Sequence, residues 1–258
     1  MNDQSKPDLD DSKAPLIEHL IELRQRLLWS VAALAVAFGV SMFFADEIFG
    51  ILVQPLTDAF PAGEGRLIYT KLYEAFFVEI KVALFAAFFI AFPIISNQLW
   101  AFVAPGLYAN EKKAFLPFLL ATPLLFMAGA ALAYFIVMPT AFRFFLGFEG
   151  TVGGLQQEAL PAMGDYLSLV MQFILAFGVC FQLPVLLLLL NRAGIVSREQ
   201  LKGMRRYMIV GAFALAAILT PPDVVSQLML GIPLILLYEI SLLIMWVTER
   251  KKREIVSP

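Results

Sequence analysis

Six apolar runs, separated by shorter polar stretches, dominate the 258-residue chain. The first four are long enough to cross about 30 Å of hydrocarbon as helices. The fifth has about 13 residues, which make roughly 20 Å of helix, and a tight TPPD turn at 220–223 joins it to the sixth. The predicted spans are 27–44, 76–96, 115–137, 167–190, 207–219 and 225–247. We therefore predict an all-α polytopic membrane protein with six transmembrane helices, in which the fifth and sixth helices are short.

Prolines recur within these apolar runs. Each proline removes a backbone hydrogen bond and tends to kink its helix. The six prolines concerned are Pro93, Pro117, Pro123, Pro139, Pro184 and Pro233. The pattern favours a kinked, concave bundle, although prolines are also commoner in membrane helices generally.

The polar segments at the two ends complete the predicted organisation as one domain. Residues 1–14 are polar and acidic and are expected to be disordered. Residues 15–26 have leucines at helical spacing, which predicts an amphipathic helix lying on the membrane surface before the 27–247 bundle. Residues 248–258 form a basic tail.

Composition and charge support this membrane topology. The chain is 60% hydrophobic and 16% charged, and its net charge of −2 gives no reason to expect nucleic-acid binding. Fifteen of its 19 lysines and arginines lie on one side of the predicted spans. The positive-inside rule therefore places both termini in the cytoplasm. The loops 45–75 and 138–166 are then outside, where we expect them to form a small cap.

No enzyme, metal or cofactor site is predicted. The chain has one histidine, His19, and one cysteine, Cys180, so it lacks the ligands for a zinc site. It also lacks a nucleophile elbow, a phosphate-binding loop and a dinucleotide fingerprint. We therefore expect a protein that is not an enzyme and has no cofactor.

Two glutamates are the candidate binding groups. Glu111 closes the 99–113 stretch, in which Pro105-Gly106 is predicted to break the helix, and Glu22 lies in the amphipathic segment. Both are at the predicted cytoplasmic interface, where two carboxylates would suit two guanidinium groups. The alternatives are an i,i+4 pair of Glu22 with Arg26 and a free loop acid at Glu111.

Three further polar side chains lie in or beside the spans. Gln182 comes two residues before Pro184, so its amide either satisfies the freed backbone or faces a polar groove. Asp223 either caps the sixth helix or contacts a partner. Glu239 is predicted near the cytoplasmic end of the sixth span, where a basic residue could pair with it.

Four long segments are similar to one known family. They are HLIELRQRL (19–27), WAFVAPGLYANEKK (100–113), AFGVCFQLPV (176–185) and VGAFALAAILTPPDVVSQ (210–227). In these segments the chain resembles TatC, the polytopic subunit of the twin-arginine protein translocase. The resemblance implies a glove-like, concave bundle of six helices in the bacterial cytoplasmic (inner) membrane. It implies a receptor for signal peptides with consecutive arginines, which exports folded proteins with TatA and TatB, or with one dual-purpose TatA.

The resemblance also implies that transport uses the proton-motive force without nucleotide, and that the chain self-associates in a receptor complex. By resemblance, Glu22 and Glu111 contact the arginine pair, Phe102 lies beside them, and His19 and Arg24 belong to the same signature. Thr220 and Gln227 match positions that receive the partner helix, and Asp223 matches the acid of the external turn. Many members have a glutamate where this chain has Gln182, which puts a charge-based role there in doubt.

Two other functional classes remain as alternatives. A secondary transporter of a small charged solute would need a site near the membrane midplane and an internal repeat. No convincing repeat relates residues 1–130 to residues 131–258. A purely structural membrane protein would not need charged motifs concentrated at one interface.

Overall fold

The computed structural model describes residues 13–60, 65–107, 112–220 and 223–256, which are mainly helical. The helices are α1 (Lys13–Phe43), α2 (Ala45–Thr57), α3 (Glu74–Leu107), α4 (Lys112–Leu132), α5 (Met138–Leu146), α6 (Met163–Cys180), α7 (Leu183–Arg192), α8 (Arg198–Gly203), α9 (Arg205–Leu219) and α10 (Val224–Val256). A π-helical turn, Ala133–Val137, joins α4 to α5. Strands β1 (Gly150–Val152) and β2 (Leu155–Gln157) form an antiparallel hairpin.

Five helical segments within the described residues are long and apolar enough to cross a membrane. They are His19–Phe43, Glu74–Phe102, Pro117–Leu146, Met163–Arg192 and Val224–Arg250. Each overlaps one of the predicted spans. The predicted fifth span corresponds to α9, whose 15 residues make about 22 Å of helix. The expected short fifth helix is therefore present.

The prediction of a short sixth helix is wrong. α10 has 33 residues and continues from its apolar part into the charged sequence after Val247. Lysine, arginine and glutamate are good helix formers, so the helix has no local reason to end where the apolar run ends.

The amphipathic segment 15–26 is not separated from the first span. Both belong to α1, a single helix of 31 residues. No proline follows Pro15 within α1, and its residues around position 27 favour a helix, so nothing interrupts the backbone ladder. In the same way, α3 continues through Pro105 and Gly106 to Leu107, so the helix break predicted at Pro105 and Gly106 is wrong.

Two of the six prolines coincide with interruptions in the helical spans. Pro139 follows the π-helical turn, and Pro184 follows the interruption at Phe181 and Gln182 between α6 and α7. Both positions fit the rule that a proline disturbs the helical turn before it. The other four, Pro93, Pro117, Pro123 and Pro233, lie inside helices.

Close packing of α4 against α6 forms the centre of the bundle. A Cβ atom built on Gly129 would come within 2.4 Å of the Phe177 carbonyl oxygen, and one on Gly178 within 2.6 Å of the Phe126 ring. Phe126 is fully buried and stacks on Phe92 with ring centroids 3.8 Å apart. Glycine at both positions lets the two helices approach closely.

The described parts of the segments 45–75 and 138–166 pack together at one end of the bundle, which we call the loop end. The Tyr134 hydroxyl donates to the Ile51 carbonyl oxygen at 2.6 Å. The Tyr166 hydroxyl donates to the Leu52 carbonyl oxygen at 2.8 Å. The Gly164 N–H donates to Glu74 Oε1 at 2.8 Å. The expected packing of these loops into a cap is confirmed, while its position outside the cell stays a prediction.

Candidate functional site

Small residues bring α1 and α3 together along their length. Ala37, Ala87 and Ala91 are buried between the two helices. Because alanine allows close approach of helix backbones, the beginning of α1 lies beside the last turns of α3. There the His19 imidazole stacks on the Phe102 ring, with centroids 4.2 Å apart and planes 16° from parallel.

Glu22 lies one turn after His19 and is partly exposed. Its Oε1 accepts a hydrogen bond from Arg26 Nε at 3.0 Å, and its Oε2 is 3.8 Å from His19 Nδ1. The Glu22 side chain is 35% exposed and the Arg26 side chain 26%. The i,i+4 pair considered from the sequence is therefore formed. It occupies one carboxylate oxygen and leaves the other oxygen toward the histidine.

The remaining residues predicted for this site are not placed in the cluster. Arg24 is exposed, and two residues after Glu22 it lies about 200° around the helix, so it points to another side of α1. Glu111 lies outside the described residues. The structure therefore brings together His19, Glu22 and Phe102 from the predicted set.

A buried polar network begins at Trp100, two residues before Phe102 on α3. Trp100 Nε1–H donates to Thr122 Oγ1 at 2.7 Å, and the Thr122 hydroxyl donates to the Phe118 carbonyl oxygen at 2.8 Å. Gln182 Nε2 donates to the Thr122 carbonyl oxygen at 2.9 Å. The network joins the last turns of α3 to α4 and to the interruption between α6 and α7.

Gln182 thus satisfies a backbone carbonyl, but this carbonyl belongs to α4 and not to α7, the helix that contains Pro184. The first possibility raised from the sequence was the backbone freed by Pro184, whereas the partner carbonyl is that of Thr122 on α4. Gln182 Oε1 is buried and has no hydrogen-bond partner among the described residues. Sequence reasoning missed Thr122, because a threonine in an apolar run carries no pattern that identifies its partners.

The residues predicted to contact a partner are close in sequence, where α9 ends and α10 begins, but their environments differ. Thr220 is 6% exposed, and its hydroxyl donates to the Ala216 carbonyl oxygen at 2.8 Å. Asp223 is 8% exposed, and its Oδ1 accepts the Ser226 N–H at 2.7 Å. Asp223 therefore caps α10, as one of its two predicted roles required. Gln227 is partly exposed, and its side chain makes no hydrogen bond to a described residue.

Near the middle of α10, Glu239 has the basic partner expected for it. Arg205 Nη2 donates to Glu239 Oε2 at 2.7 Å, which joins the beginning of α9 to α10. Both side chains are more than 40% exposed, so this ion pair contributes little stability. Within the described residues, no group of three or more histidine, cysteine, aspartate or glutamate side chains could hold a metal ion.

Comparison with known proteins gives the family. A family model described as TatC, Sec-independent protein translocase protein, matches residues 18–233. The chain belongs to the TatC family. It is a multi-pass membrane protein of this family, because its helices include several of membrane-spanning length and composition.

Curated TatC relatives match over nearly their whole length. The chain is 51% identical to the protein of Magnetococcus marinus over 244 residues, which are 95% of this chain and 88% of the relative. It is 44% identical to the protein of Aquifex aeolicus, over 93% of this chain and 98% of the relative. It is 41% identical to the protein of Escherichia coli, over 88% and 86% respectively.

Two solved TatC structures have the same fold. One, described as the crystal structure of twin arginine translocase receptor TatC, is 43% identical, with a TM-score of 0.75, and the match covers 89% of this chain and 98% of that chain. The second, described as the same receptor in DDM, is 42% identical, with a TM-score of 0.76 and coverage of 88% and 98%.

Proposed function

We propose that the chain is the receptor subunit of a twin-arginine translocase and binds signal peptides at His19, Glu22 and Phe102. The observation that carries this proposal is the position of Glu22, a partly exposed carboxylate beside a stacked histidine–phenylalanine pair. In this proposal Glu111 supplies a second carboxylate, and Arg24 contributes positive charge to the surrounding surface.

The chemistry of the cluster suits an arginine better than a lysine. A planar guanidinium can pair with both oxygens of a carboxylate and can also lie against an aromatic face, whereas an ammonium is a compact point charge. Arg26 already holds Glu22 through one of its two carboxylate oxygens, Oε1. A peptide arginine would then either replace Arg26 at Oε1 of Glu22 or bind Oε2, the oxygen that faces His19. In both cases Arg26 holds the Glu22 carboxylate in position until the peptide binds.

The test is binding of a twin-arginine signal peptide to the purified full chain. Glu22→Gln should weaken binding about tenfold, because it removes the carboxylate charge and keeps the side-chain size. Glu199→Gln is the matched control, since Glu199 is an exposed acid in the first turn of α8. A peptide whose arginines are replaced by lysines should bind the parent chain about as weakly. Equal binding of the arginine peptide to the parent and to Glu22→Gln would contradict the proposed site.

We further propose that the chain works with TatA and TatB, or with one dual-purpose TatA, in a self-associating receptor complex. The partner helix would approach at α9 and α10, where Gln227 offers an amide without a described partner. The shortness of α9 supports this placement, because a helix of about 22 Å cannot span the bilayer without local thinning or a covering neighbour. We propose the bacterial cytoplasmic membrane, cytoplasmic termini, and export of folded cargo driven by the proton-motive force.

The alternative of a secondary transporter has no support in the described residues. The large cavity between α1, α3, α6 and α9 has an apolar wall with Lys81 as its single charged lining residue. A transporter of a charged solute would need convergent polar groups near the midplane.

A further inference from the structure

Four helices, α1, α3, α6 and α9, line an open apolar cavity of about 930 Å³. Leucine, phenylalanine, alanine, methionine and valine side chains form most of its wall, and Cys180 lies at its deep end. The polar lining side chains, Lys81, Ser168 and Gln172, all lie toward the loop end. The cavity is thus polar at one end and apolar along its length.

The length of the cavity matches one leaflet of a bilayer. Its lining on α6 extends from Ser168 to Cys180, twelve residues apart, or about 18 Å of helix. Half of a hydrocarbon core is about 15 Å. The cavity therefore begins near the headgroup level at the loop end and finishes near the midplane.

Lys81 is a cation without a partner at the polar end of this cavity. It is exposed and makes no ion pair or hydrogen bond with any residue in the described part of the chain. The neighbouring polar groups are engaged elsewhere: the Ser168 hydroxyl donates to the Gly164 carbonyl oxygen at 2.7 Å, and the Gln172 amide donates to the Leu219 carbonyl oxygen at 3.2 Å.

The acids nearest to Lys81 in α3 do not neutralise it. Glu74 accepts hydrogen bonds from the backbone N–H groups of Thr70 and Gly164. Glu79 is two residues away and therefore lies about 200° around the helix. Lys81 is seven residues, or roughly 10 Å, into α3, a depth from which a lysine stem can carry its ammonium toward the headgroups. A counter-ion at that level would remove the cost of a charge beside hydrocarbon.

We propose that this cavity is a specific phospholipid site, in which an acyl chain fills the apolar part and the lipid phosphate pairs with Lys81. The apolar wall, which is as long as one leaflet, matches the acyl chain of a phospholipid. The polar end matches its headgroup, and the unpaired Lys81 matches its phosphate. The lipid completes the concave wall where α9 is too short to cover it.

The cation at the polar end favours a lipid over a partner helix. A phospholipid brings an anion at the headgroup level together with an apolar chain, whereas a helix would need an acid at the depth of Lys81 to pair with it.

The experiment is native mass spectrometry of the delipidated full chain in detergent, titrated with phosphatidylglycerol or with diacylglycerol of the same acyl chains. We expect one phosphatidylglycerol retained per chain and binding of diacylglycerol weaker by about tenfold or more, because diacylglycerol lacks the phosphate. Lys81→Met should lower phosphatidylglycerol affinity to a similar degree. Lys71→Met is the matched control, since Lys71 is at the loop end, lies near the Tyr73 ring and does not line the cavity.

A second variant tests the cavity itself while keeping the cation. Ser168→Phe places a large side chain at the polar end, and it should also release the retained lipid if the chain remains monodisperse and cooperatively folded. Leu84→Trp, on another exposed lining position, replaces it if Ser168→Phe does not fold. Phosphatidylglycerol binding that is unchanged in both Lys81→Met and a cavity-filling variant would overturn the proposal. Weaker copurification of a single-span partner with unchanged lipid retention would identify a helix as the occupant and would also overturn it.

Discussion

Individual side chains in this protein are often paired with residues from distant parts of the chain. Glu22 has a local partner, Arg26, that the sequence spacing already suggested. His19 instead stacks on Phe102, and Gln182 donates to the backbone of Thr122. The Gln182 contact satisfies a polar group inside an otherwise apolar bundle, which is where an unpaired group costs most. The His19 side chain remains 49% exposed.

The Trp100–Thr122 hydrogen bond gives a prediction at this scale. Thr122→Val keeps the side-chain shape but removes the hydroxyl that accepts the hydrogen bond from Trp100 Nε1–H, so we expect a loss of about 1 kcal/mol in unfolding free energy. Thr140→Val is the control, because the Thr140 hydroxyl donates to Ile136 within its own helical segment. Thermal unfolding in detergent measures both. A Thr122→Val midpoint no lower than that of Thr140→Val would contradict the role of this network.

The ends of the helices follow from local sequence, whereas their crossings depend on residues from different helices. Ser197 and Gln200 form a reciprocal capping box that begins α8, and Asp223 caps α10. These caps follow local rules and are readable from sequence. The crossing of α4 and α6 depends on Gly129 on one helix and Gly178 on the other. The sequence around either glycine does not show which helix packs against it.

The crossing gives a prediction at the scale of elements. Gly129→Ala should destabilise the protein strongly, by about 1–3 kcal/mol, because the added Cβ would meet the Phe177 backbone carbonyl at 2.4 Å and the helices must separate. Gly39→Ala is the control, since nothing lies within 4 Å of a Cβ at Gly39 on α1. Unfolding midpoints of the two variants, measured side by side, should differ clearly. Equal midpoints would show that α4 and α6 are not in close contact at this point.

The capping of α10 gives a second prediction for elements. Asp223→Ala removes the acceptor of the Ser226 N–H and should cost about 1 kcal/mol, whereas Asp223→Asn should retain most of that stability. Gln227→Leu should leave the unfolding midpoint nearly unchanged, because its amide makes no hydrogen bond to a described residue. Thermal unfolding separates these outcomes. A large loss of stability in Gln227→Leu would show that the Gln227 side chain stabilises the fold, and would argue against its proposed role in binding a partner helix.

The whole molecule is an asymmetric bundle. Packed loops close it at the loop end, and its wall is shortest at α9, which has only 15 residues. The loop-end contacts of Tyr134 and Tyr166 tie α2 to the helices that follow. The basic residues lie mostly at the other end, which is why we place that end in the cytoplasm.

This orientation is testable with single cysteines in cells. Cys180 is buried and would first be changed to alanine, which leaves a chain without thiols. A cysteine at Thr151, in the exposed hairpin, should react with a membrane-impermeant maleimide from outside. A cysteine at Lys202, on exposed α8, should react only after the membrane is opened. Labelling in the reverse order would contradict the proposed topology.

The sequence by itself determined the membrane class, the positions of the apolar helices, the short fifth helix and the family resemblance. These depend on composition, on periodicity and on segments of neighbouring residues, all of which act locally. Only the tertiary structure decided that His19 stacks on Phe102, that Gly129 and Gly178 let α4 and α6 approach closely, and that Gln182 bonds to Thr122. It also decided that an unpaired Lys81 stands at the end of an apolar cavity. The physical reason is that such pairings join residues far apart in the chain, and their energy depends on how the helices pack.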